Sequence, residues 1–323
     1  MYYREVSLHI PDGFLDTKTI IATSTLSAIG VSVALRHFKA EEQPRKIPLL
    51  GLAGAFVFTS QMLNFPVAGG TSGHLIGAVL TSVLLGPSAA VIVITSVLFV
   101  QCFLFADGGV LALGANIFNM AIIAPLCGYA IYAVIHRIIP GMRGTIIAAA
   151  FASWCSALLA SICCTGELAL SGTVPWSTAF FAMTSVHAII GIGEGLITAL
   201  VIAAVSTTRP ELLENNSHSI KARDYKIFGL YGLLVTVGLM VFVAPFASPL
   251  PDGLEKVSKV LGFEYKAVRQ PLLSMPFTAY RFPGISTVTM STIAAGIIGM
   301  LIVFILSVIL AYILFPKTQK NQQ

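Results

Sequence analysis

The chain has 323 residues and a formal net charge of +5; 56% of its residues are hydrophobic and only 10% are charged. An ordinary soluble domain is about 25% charged, so this composition excludes a soluble protein and predicts a membrane protein. The Lys and Arg residues stand in short clusters between apolar runs. This pattern is typical of membrane topology and argues against nucleic acid as a partner.

Apolar stretches of about 20 residues predict spanning helices, and the clearest runs from Val288 to Phe315 without a charged residue. We predict an all-α, polytopic membrane helical bundle of about seven plus two transmembrane helices. The third span is short, so we expect it to be tilted or partly buried. The predicted spans are 19–36, 48–64, 75–88, 89–105, 116–135, 145–165, 179–205, 227–246 and 288–315.

The distribution of basic residues predicts the orientation of these spans. With the N-terminus outside and the C-terminus in the cytoplasm, twelve of the nineteen Lys and Arg residues lie inside. Five of the other seven lie in one long outside loop, where charge bias counts less. The first residues, Met1 to Asp16, do not have the usual form of a cleavable signal peptide. The inside residues are Arg36, Lys39, Arg45, Lys46, Arg137, Arg143, Arg209, Lys221, Arg223, Lys226, Lys317 and Lys320.

The chain divides into two units that resemble a fusion of separate proteins. Residues 1–205 hold seven spans with short connections, and residues 206–226 form a polar cytoplasmic linker. Residues 227–323 form a helical hairpin around an outside loop of roughly 40 residues. Small residues are dense in the spans, as in 51–55 and 191–195. Such faces either pack helices within the bundle or dock another membrane subunit.

Two of the six histidines, His9 and His74, fall on the outside in this layout. His9 precedes the turn signal Pro-Asp-Gly, and His74 ends a glycine-rich segment that can fold back into the bundle. Non-helical backbone at that depth must line a cavity or be buried in protein. Imidazole suits nickel, cobalt, copper and zinc, so the two rings either share one metal ion or have separate structural roles.

A second group of polar residues lies in or near the spans. Asp107 lies in an outside loop that leads to Asn116 and Asn119. Glu194 follows His187 by seven residues, close to two helical turns, so the two side chains share a helix face. Because ionisable groups in spans are costly, this pair either braces the bundle or contributes to the path of a metal ion.

Several catalytic signatures are absent from the sequence. It has no G-x-x-x-x-G-K-[ST] loop for ATP, no H-E-x-x-H zinc motif and no G-x-S-x-G nucleophile motif. The cysteines lack the paired spacing of a zinc site. The chain is therefore not predicted to be an enzyme, and any ATPase that drives it is a separate protein.

Four segments in this order resemble the CbiM/NikM family: HIPDGFL at 9–15, GTSGH at 70–74, FADGGVLALGAN at 105–116 and HAIIGIGEGLIT at 187–198. That family supplies the cobalt- or nickel-binding S component of energy-coupling-factor (ECF) transporters. The tail resembles the N-type component, or PDGLE domain, through PDGLEKV at 251–257. The resemblance implies a metal-binding M-type domain in the first unit and an N-type hairpin in the second.

The resemblance also implies the ligands. In the family, a free amino group, the backbone nitrogen of the next residue and the ring of that His bind the metal, and a second His completes a planar four-nitrogen site. Carried over, His9 and His74 are the side-chain ligands. From their place in the chain, Asp107, Asn116 and Asn119 are candidates for orienting these ligands. Nickel and cobalt remain open as alternatives, and no resident cofactor is expected.

The sequence departs from the family pattern before His9. Seven residues, Met1 to Ser7, precede Leu8, so as written no free amine adjoins His9. We hypothesise that Leu8 is the true start, encoded by a Leu codon that is used for initiation and decoded as Met. A chain that keeps the seven residues is expected to bind metal weakly or not at all.

The resemblance implies an ATP-driven importer in the cell membrane of a bacterium or archaeon. Its partners would be a transmembrane T component of the CbiQ/NikQ type and an ABC-type ATPase of the CbiO/NikO type. The alternative is a proton-coupled secondary metal transporter in which His187 and Glu194 form a proton relay. A membrane enzyme, which the missing catalytic motifs disfavour, and a metal sensor, which would show no uptake with partner subunits present, are further alternatives.

Overall fold

The protein is described from a computed structural model, which describes residues 9–40, 47–213, 222–268 and 272–314. Helices dominate these ranges because the apolar runs leave the backbone no partner but itself in a bilayer. A π-helical segment, Phe118–Ile123, joins α5 to α6. The helices are α1 (Thr17–Ala40), α2 (Ile47–Met62), α3 (Ala78–Leu85), α4 (Pro87–Phe105), α5 (Leu113–Ile117), α6 (Ala124–Ile138), α7 (Gly141–Leu170), α8 (Trp176–Thr208), α9 (Ala222–Phe242), α10 (Gly253–Val260) and α11 (Val288–Leu314).

The predicted all-α, polytopic bundle is confirmed. Seven helical segments in the described ranges are long and apolar enough to cross a membrane. Two predicted spans are shorter than expected. Helix α2 has 16 residues, and α3 has only eight, a length of about 12 Å against a hydrocarbon core of about 30 Å. Helix α3 is therefore too short to cross the membrane by itself, and it is a mostly buried helix inside the bundle.

A small hairpin that the sequence did not predict leads into α3. Strand β1 (Phe65–Val67) pairs antiparallel with β2 (Thr71–Gly73), and Phe65 lies opposite Gly73. The turn is closed by Gly69 and Gly70, both of which have positive φ angles of 83° and 71°, a backbone region that glycine enters without steric cost. The hairpin ends directly before His74 and so determines where that ring lies.

Helices α9, α10 and α11 of the second unit all pack against helices of the first. Its helix α11 lies on α2, and Met240 and Met300 are completely buried in the same hydrophobic cluster as Phe58 and Phe105. The unpredicted helix α10 lies in the loop between α9 and α11. Its apolar face, with Leu254 as one member, joins a second cluster that also contains Ile10 and Phe14. The division of the chain at 205 and 226 stays a prediction, and most of the 206–226 linker lies outside the described residues.

The small-residue segments pack inside the protein. A Cβ atom added at Gly54 would lie 2.7 Å from Ser307 Oγ in α11, and one at Gly195 would lie 2.7 Å from the Ala150 carbonyl oxygen in α7. Both glycines let neighbouring helices approach closely, which in lipid is a main source of helix association. These contacts favour the internal-packing interpretation for both segments.

The close approach of α11 to the core predicts a contrast between two glycines of the second unit. An alanine at Gly299 would place its Cβ 2.3 Å from the Phe58 ring, whereas Gly238 in α9 has nothing within 4 Å of that position. Overpacking a core typically costs about 1–3 kcal/mol. We expect Gly299→Ala to lower the thermal unfolding temperature in detergent and Gly238→Ala to leave it unchanged. Equal melting of the two variants would contradict this packing.

Candidate metal centre

His9 and His74 lie side by side at one end of the bundle. Their ring centres are 5.9 Å apart and the ring planes meet at 59°. A ring centre lies about 3 Å from a metal bound to one of its nitrogens, so two imidazoles on one ion have centres no more than about 6 Å apart. The two rings, separated by 65 residues in the chain, are therefore close enough to share an ion.

Hydrogen bonds to α5 and to the loop before it hold the segment that carries His9. The Asn116 side chain accepts from the Ile10 N–H at 3.0 Å and donates to the Ile10 carbonyl at 3.2 Å, and the Gly109 N–H donates to the same carbonyl at 2.9 Å. The Asp12 carboxylate accepts from three consecutive N–H groups at 2.9–3.2 Å, those of residues 110–112. The Ile10 backbone groups and the N–H groups of the loop thus have hydrogen-bond partners where the two segments meet within the bundle.

This arrangement requires glycine in the loop after α4. A Cβ atom at Gly109 would lie 2.1 Å from an Asp12 carboxylate oxygen. A Cβ atom at Gly108, whose φ is +89°, would lie 3.0 Å from the His9 Cβ. Any side chain at either position would push the His9 segment away from the loop, so the paired glycines of FADGG serve close backbone approach.

The His74 loop is held from two sides. On one side, the Glu194 carboxylate accepts from the N–H groups of Ile76 and Gly77 at 2.6 and 3.0 Å. On the other side, Ser72 donates its N–H to the Pro251 carbonyl at 2.8 Å and its hydroxyl to the Leu250 carbonyl at 2.7 Å. The loop therefore depends both on α8 of the first unit and on the segment that precedes α10 in the second unit.

The two rings open into a cavity of about 90 Å³. A single water needs only roughly 10–15 Å³ of such space, so the cavity can accept an ion. His187, Asn119 and Asp252 also line it. Burial raises the pKa of Asp252 to about 7, so this carboxyl group takes up a proton more readily than an exposed aspartate.

The electrostatic surroundings differ between the two imidazoles. Nδ1 of His9 lies 3.1 Å from Oδ1 of Asp107. Burial by itself lowers the pKa of His9, but the charge and hydrogen bonding of Asp107 and the charge of Asp252 together raise it by more, so the net shift is upward. Burial, together with the charge of His9, lowers the pKa of His74 to about 4. His74 is therefore neutral at physiological pH, which is the form that binds metals.

The other predicted residues lie around this centre in distinct roles. Asn116 holds the backbone of the His9 segment, whereas Asn119, on the π-helical segment, donates to the Glu167 carboxylate at 2.8 Å. The His187 ring bonds through Nδ1 with the Met183 carbonyl at 2.8 Å and packs on Gly253. Glu194 bonds the His74 loop, as described above. His187 and Glu194 both line the cavity, but their hydrogen bonds run to different parts of the chain.

Sequence reasoning missed three residues of the site. The sequence around Asp12 predicts only a turn. Asp252 caps α10 by accepting the Glu255 N–H at 2.6 Å, and its D-x-x-E spacing is a capping signature that could have revealed the helix. The Tyr280 hydroxyl donates to Oδ2 of Asp107 at 2.6 Å, although the two residues are 173 positions apart in the sequence. No local sequence pattern predicts this contact.

Side chains alone do not complete a coordination shell here. Among the described residues, no three His, Cys, Asp or Glu side chains are grouped closely enough to hold a metal ion. The two imidazoles supply two donors, so a four-coordinate ion must take the remaining donors from backbone groups, an amine or water. Leu8 and the residues before it lie outside the described part of the chain.

Two family models together match nearly the whole chain. Residues 9–212 match the cobalt uptake substrate-specific transmembrane region, CbiM, and residues 226–316 match the PDGLE domain. A putative fused nickel transport protein, NikMN, of Archaeoglobus fulgidus is 33% identical over 307 residues, covering 93% of this chain and 96% of the relative. A cobalt transport protein, CbiM, of Clostridioides difficile is 32% identical over 231 residues, covering 68% of this chain and 90% of the relative.

A solved structure is similar as well. The crystal structure of a truncated transition metal transporter is 34% identical and aligns with a TM-score of 0.57. The alignment covers 62% of this chain and 98% of that chain. The bundle is thus shared with a transition metal transporter.

Because Glu194 accepts two hydrogen bonds from the His74 loop, we expect substitutions at this position to destabilise the loop in proportion to the acceptors removed. Glu194→Ala leaves two buried N–H groups without their acceptor, which typically costs about 3 kcal/mol in total. Glu194→Gln keeps one acceptor oxygen, so we expect a smaller loss. Thermal unfolding measures the stability, and hydrogen exchange at Ile76 and Gly77 reports the loop itself. Unchanged exchange at both amides in Glu194→Ala would refute this role, and the exposed Glu264→Ala serves as the control.

Proposed function

Because the chain belongs to the CbiM family of cobalt uptake substrate-specific transmembrane regions and carries a PDGLE domain, we propose that it captures Ni(II) or Co(II) as the substrate-binding component of an ATP-driven importer. The observation that carries this proposal is the pair of imidazoles 5.9 Å apart at the edge of a cavity. The multi-pass bundle and the transport relatives support a transport role in place of an enzymatic one.

The capture step uses nitrogen donors. His9 and His74 contribute their rings, and the amine and backbone nitrogen of the Leu8–His9 segment complete a planar site when the chain starts at Leu8. Four nitrogen donors in a plane suit Ni(II). The absence of a third side-chain ligand among the described residues is consistent with backbone donors.

A planar chelate restricts which nitrogen of His9 can bind. Only Nδ1 lies close enough to the backbone nitrogen of its own residue to close a chelate ring. In the described structure, Nδ1 is paired with Asp107 at 3.1 Å. Loading of the planar site would therefore transfer Nδ1 from Asp107 to the ion by a rotation of the His9 ring, whereas an ion that binds Nε2 would leave the Asp107 contact in place.

The remaining steps need partner proteins. The sequence has no ATP-binding loop, so we propose a transmembrane T component of the CbiQ/NikQ type and an ABC-type ATPase of the CbiO/NikO type. The bias of basic residues supports a chain with its N-terminus outside and its C-terminus in the cytoplasm. In this orientation the His9 end of the bundle faces the exterior of the cell membrane, where the ion is captured.

The second unit would tune loading by ordering both ligand segments. Leu250 and Pro251 accept hydrogen bonds from Ser72, two residues before His74. The Val268 N–H donates to the Asp12 carbonyl at 2.8 Å, three residues after His9. One loop of the second unit therefore contacts both halves of the proposed site.

The rival proposal is a proton-coupled secondary transporter that uses His187 and Glu194. Both carboxylate oxygens of Glu194 accept backbone N–H groups, an arrangement that favours a bracing role over a proton relay. Metal uptake that survives loss of the ATPase partner would favour the rival over the ATP-driven importer.

Removing either imidazole should abolish capture. We expect His9→Ala and His74→Ala to lose high-affinity binding of Ni(II) and Co(II) by purified protein, and to lose uptake when the T component and ATPase are present. His136→Ala, on the cytoplasmic side of the predicted topology, is the control. Wild-type affinity and uptake in both site variants would end the assignment of these ligands.

The amine donor predicts that the chain start matters. We expect a protein whose first residue occupies position 8 to bind the ion more tightly than one that retains residues 1–7, because only the former places an amino group beside His9. Mass spectrometry of the native N-terminus and calorimetry of both forms measure this. Equal affinity of the two forms would exclude the amine as a ligand.

A further inference from the structure

We propose that Tyr280 of the second unit is a positioning residue for the metal ligand His9 and acts on it through Asp107. The inference rests on the proposed function, since it concerns binding at the same site. The proposed function has the second unit order the ligand loops in general. This inference names one hydrogen bond, from Tyr280 to Asp107, through which the second unit acts on His9.

The contact is a continuous chain of three buried side chains. The Tyr280 hydroxyl donates to Oδ2 of Asp107 at 2.6 Å. The other oxygen of that carboxylate, Oδ1, lies 3.1 Å from Nδ1 of His9. The exposed fractions are 8% for Tyr280 and 3% for each of the other two residues, so solvent does not screen the interaction and its geometry is fixed by packing.

The backbone on both sides of this contact is strained. The described chain contains three non-glycine residues with positive φ: Ala106 at 55°, Ala279 at 54° and Tyr280 at 57°. Ala106 directly precedes Asp107. The other two are Tyr280 itself and the residue before it. A left-handed conformation costs a residue with a side chain roughly 1–2 kcal/mol, and such strain persists where the surrounding structure enforces it, often at functional sites. All three strained residues therefore flank one hydrogen bond.

The tyrosine ring is held independently of its hydroxyl group. It stacks on Phe105 with ring centres 4.8 Å apart and an angle of 26°. The Phe277 N–H donates to the Leu104 carbonyl at 2.8 Å, which fixes the tyrosine loop to the end of α4. Phenylalanine at position 280 would keep these ring contacts and lose only the oxygen, so its effect would report the hydrogen bond.

The direction of the effect follows from the chemistry of the carboxylate. Burial raises the pKa of Tyr280 well above its ordinary value, so the hydroxyl remains protonated and donates to Asp107. If the ion binds Nε2 of His9, the donated hydrogen bond keeps Asp107 in place to orient the ring. If the ion takes Nδ1, the hydrogen bond stabilises the carboxylate that the ring has left. In both cases the loss of the hydroxyl weakens metal binding.

The test is calorimetric binding of Ni(II) alone, and of Co(II) alone, to the purified full chain. We expect Tyr280→Phe to raise the Kd by about 10–100-fold, the usual effect of removing a group that orients a metal ligand. The metal-free protein should still fold, with a melting temperature lowered by the loss of one buried hydrogen bond, so binding is measured below that temperature. Tyr265→Phe removes a hydroxyl from an exposed tyrosine of the same loop and should bind as the wild type does.

A double-mutant cycle separates a positioning role from a merely structural one. If Tyr280 acts through Asp107, Tyr280→Phe should have no further effect on affinity in the Asp107→Asn background. The visible absorption bands of bound Ni(II), which report ligand geometry, should shift in Tyr280→Phe and stay unchanged in Tyr265→Phe.

The outcomes distinguish this inference from the function on which it rests. Wild-type affinity in Tyr280→Phe, or additive effects of the two substitutions, would overturn the positioning role while His74→Ala still loses binding. Wild-type affinity in His74→Ala would instead overturn the proposed metal site itself.

Discussion

The candidate metal centre depends on buried carboxylates that accept hydrogen bonds from backbone N–H groups. The segments that carry His9 and His74 are not helical, and a bilayer offers no water to fulfil their hydrogen bonds. Glu194 accepts two N–H groups of the His74 loop, and Asp12, which lies in the His9 segment, accepts three N–H groups of the loop after α4. Without these acceptors, five N–H groups would lose their partners, which would disfavour the arrangement that brings the two rings together. The site is therefore held by the polar groups beneath it as much as by its own side chains.

The sequence predicted the helices well because each is a long apolar run with a simple physical requirement. It predicted the pairing of His9 and His74 only through the resemblance of four segments, since spacing alone left separate roles open. Its errors concern short elements. The hairpin has three-residue strands, and α3 is an apolar run too short to cross the bilayer. These elements are formed by tertiary contacts and not by local periodicity.

The supporting residues were harder to predict than the ligands. Asp12 and Glu194 bond to backbone atoms whose positions depend on the complete fold. Tyr280 reaches Asp107 from another unit of the chain, through a left-handed turn that its own residue types disfavour. Contacts of this kind join segments that are distant in the chain, so they have no local sequence signal. For this reason, the sequence predicts the proposed ligands but not the residues that hold them in place.

The shared core of the two units restricts how the site can open. Met240 and Met300 of the second unit are buried among Phe58 and Phe105 of the first, so a rigid-body tilt of one unit in the bilayer would carry the other with it. The loop of the second unit that bonds the hairpin before His74 would move together with the first unit and would keep covering the site. An ion could then leave only by a local movement of that loop or of the His9 segment, and not by separation of the two halves.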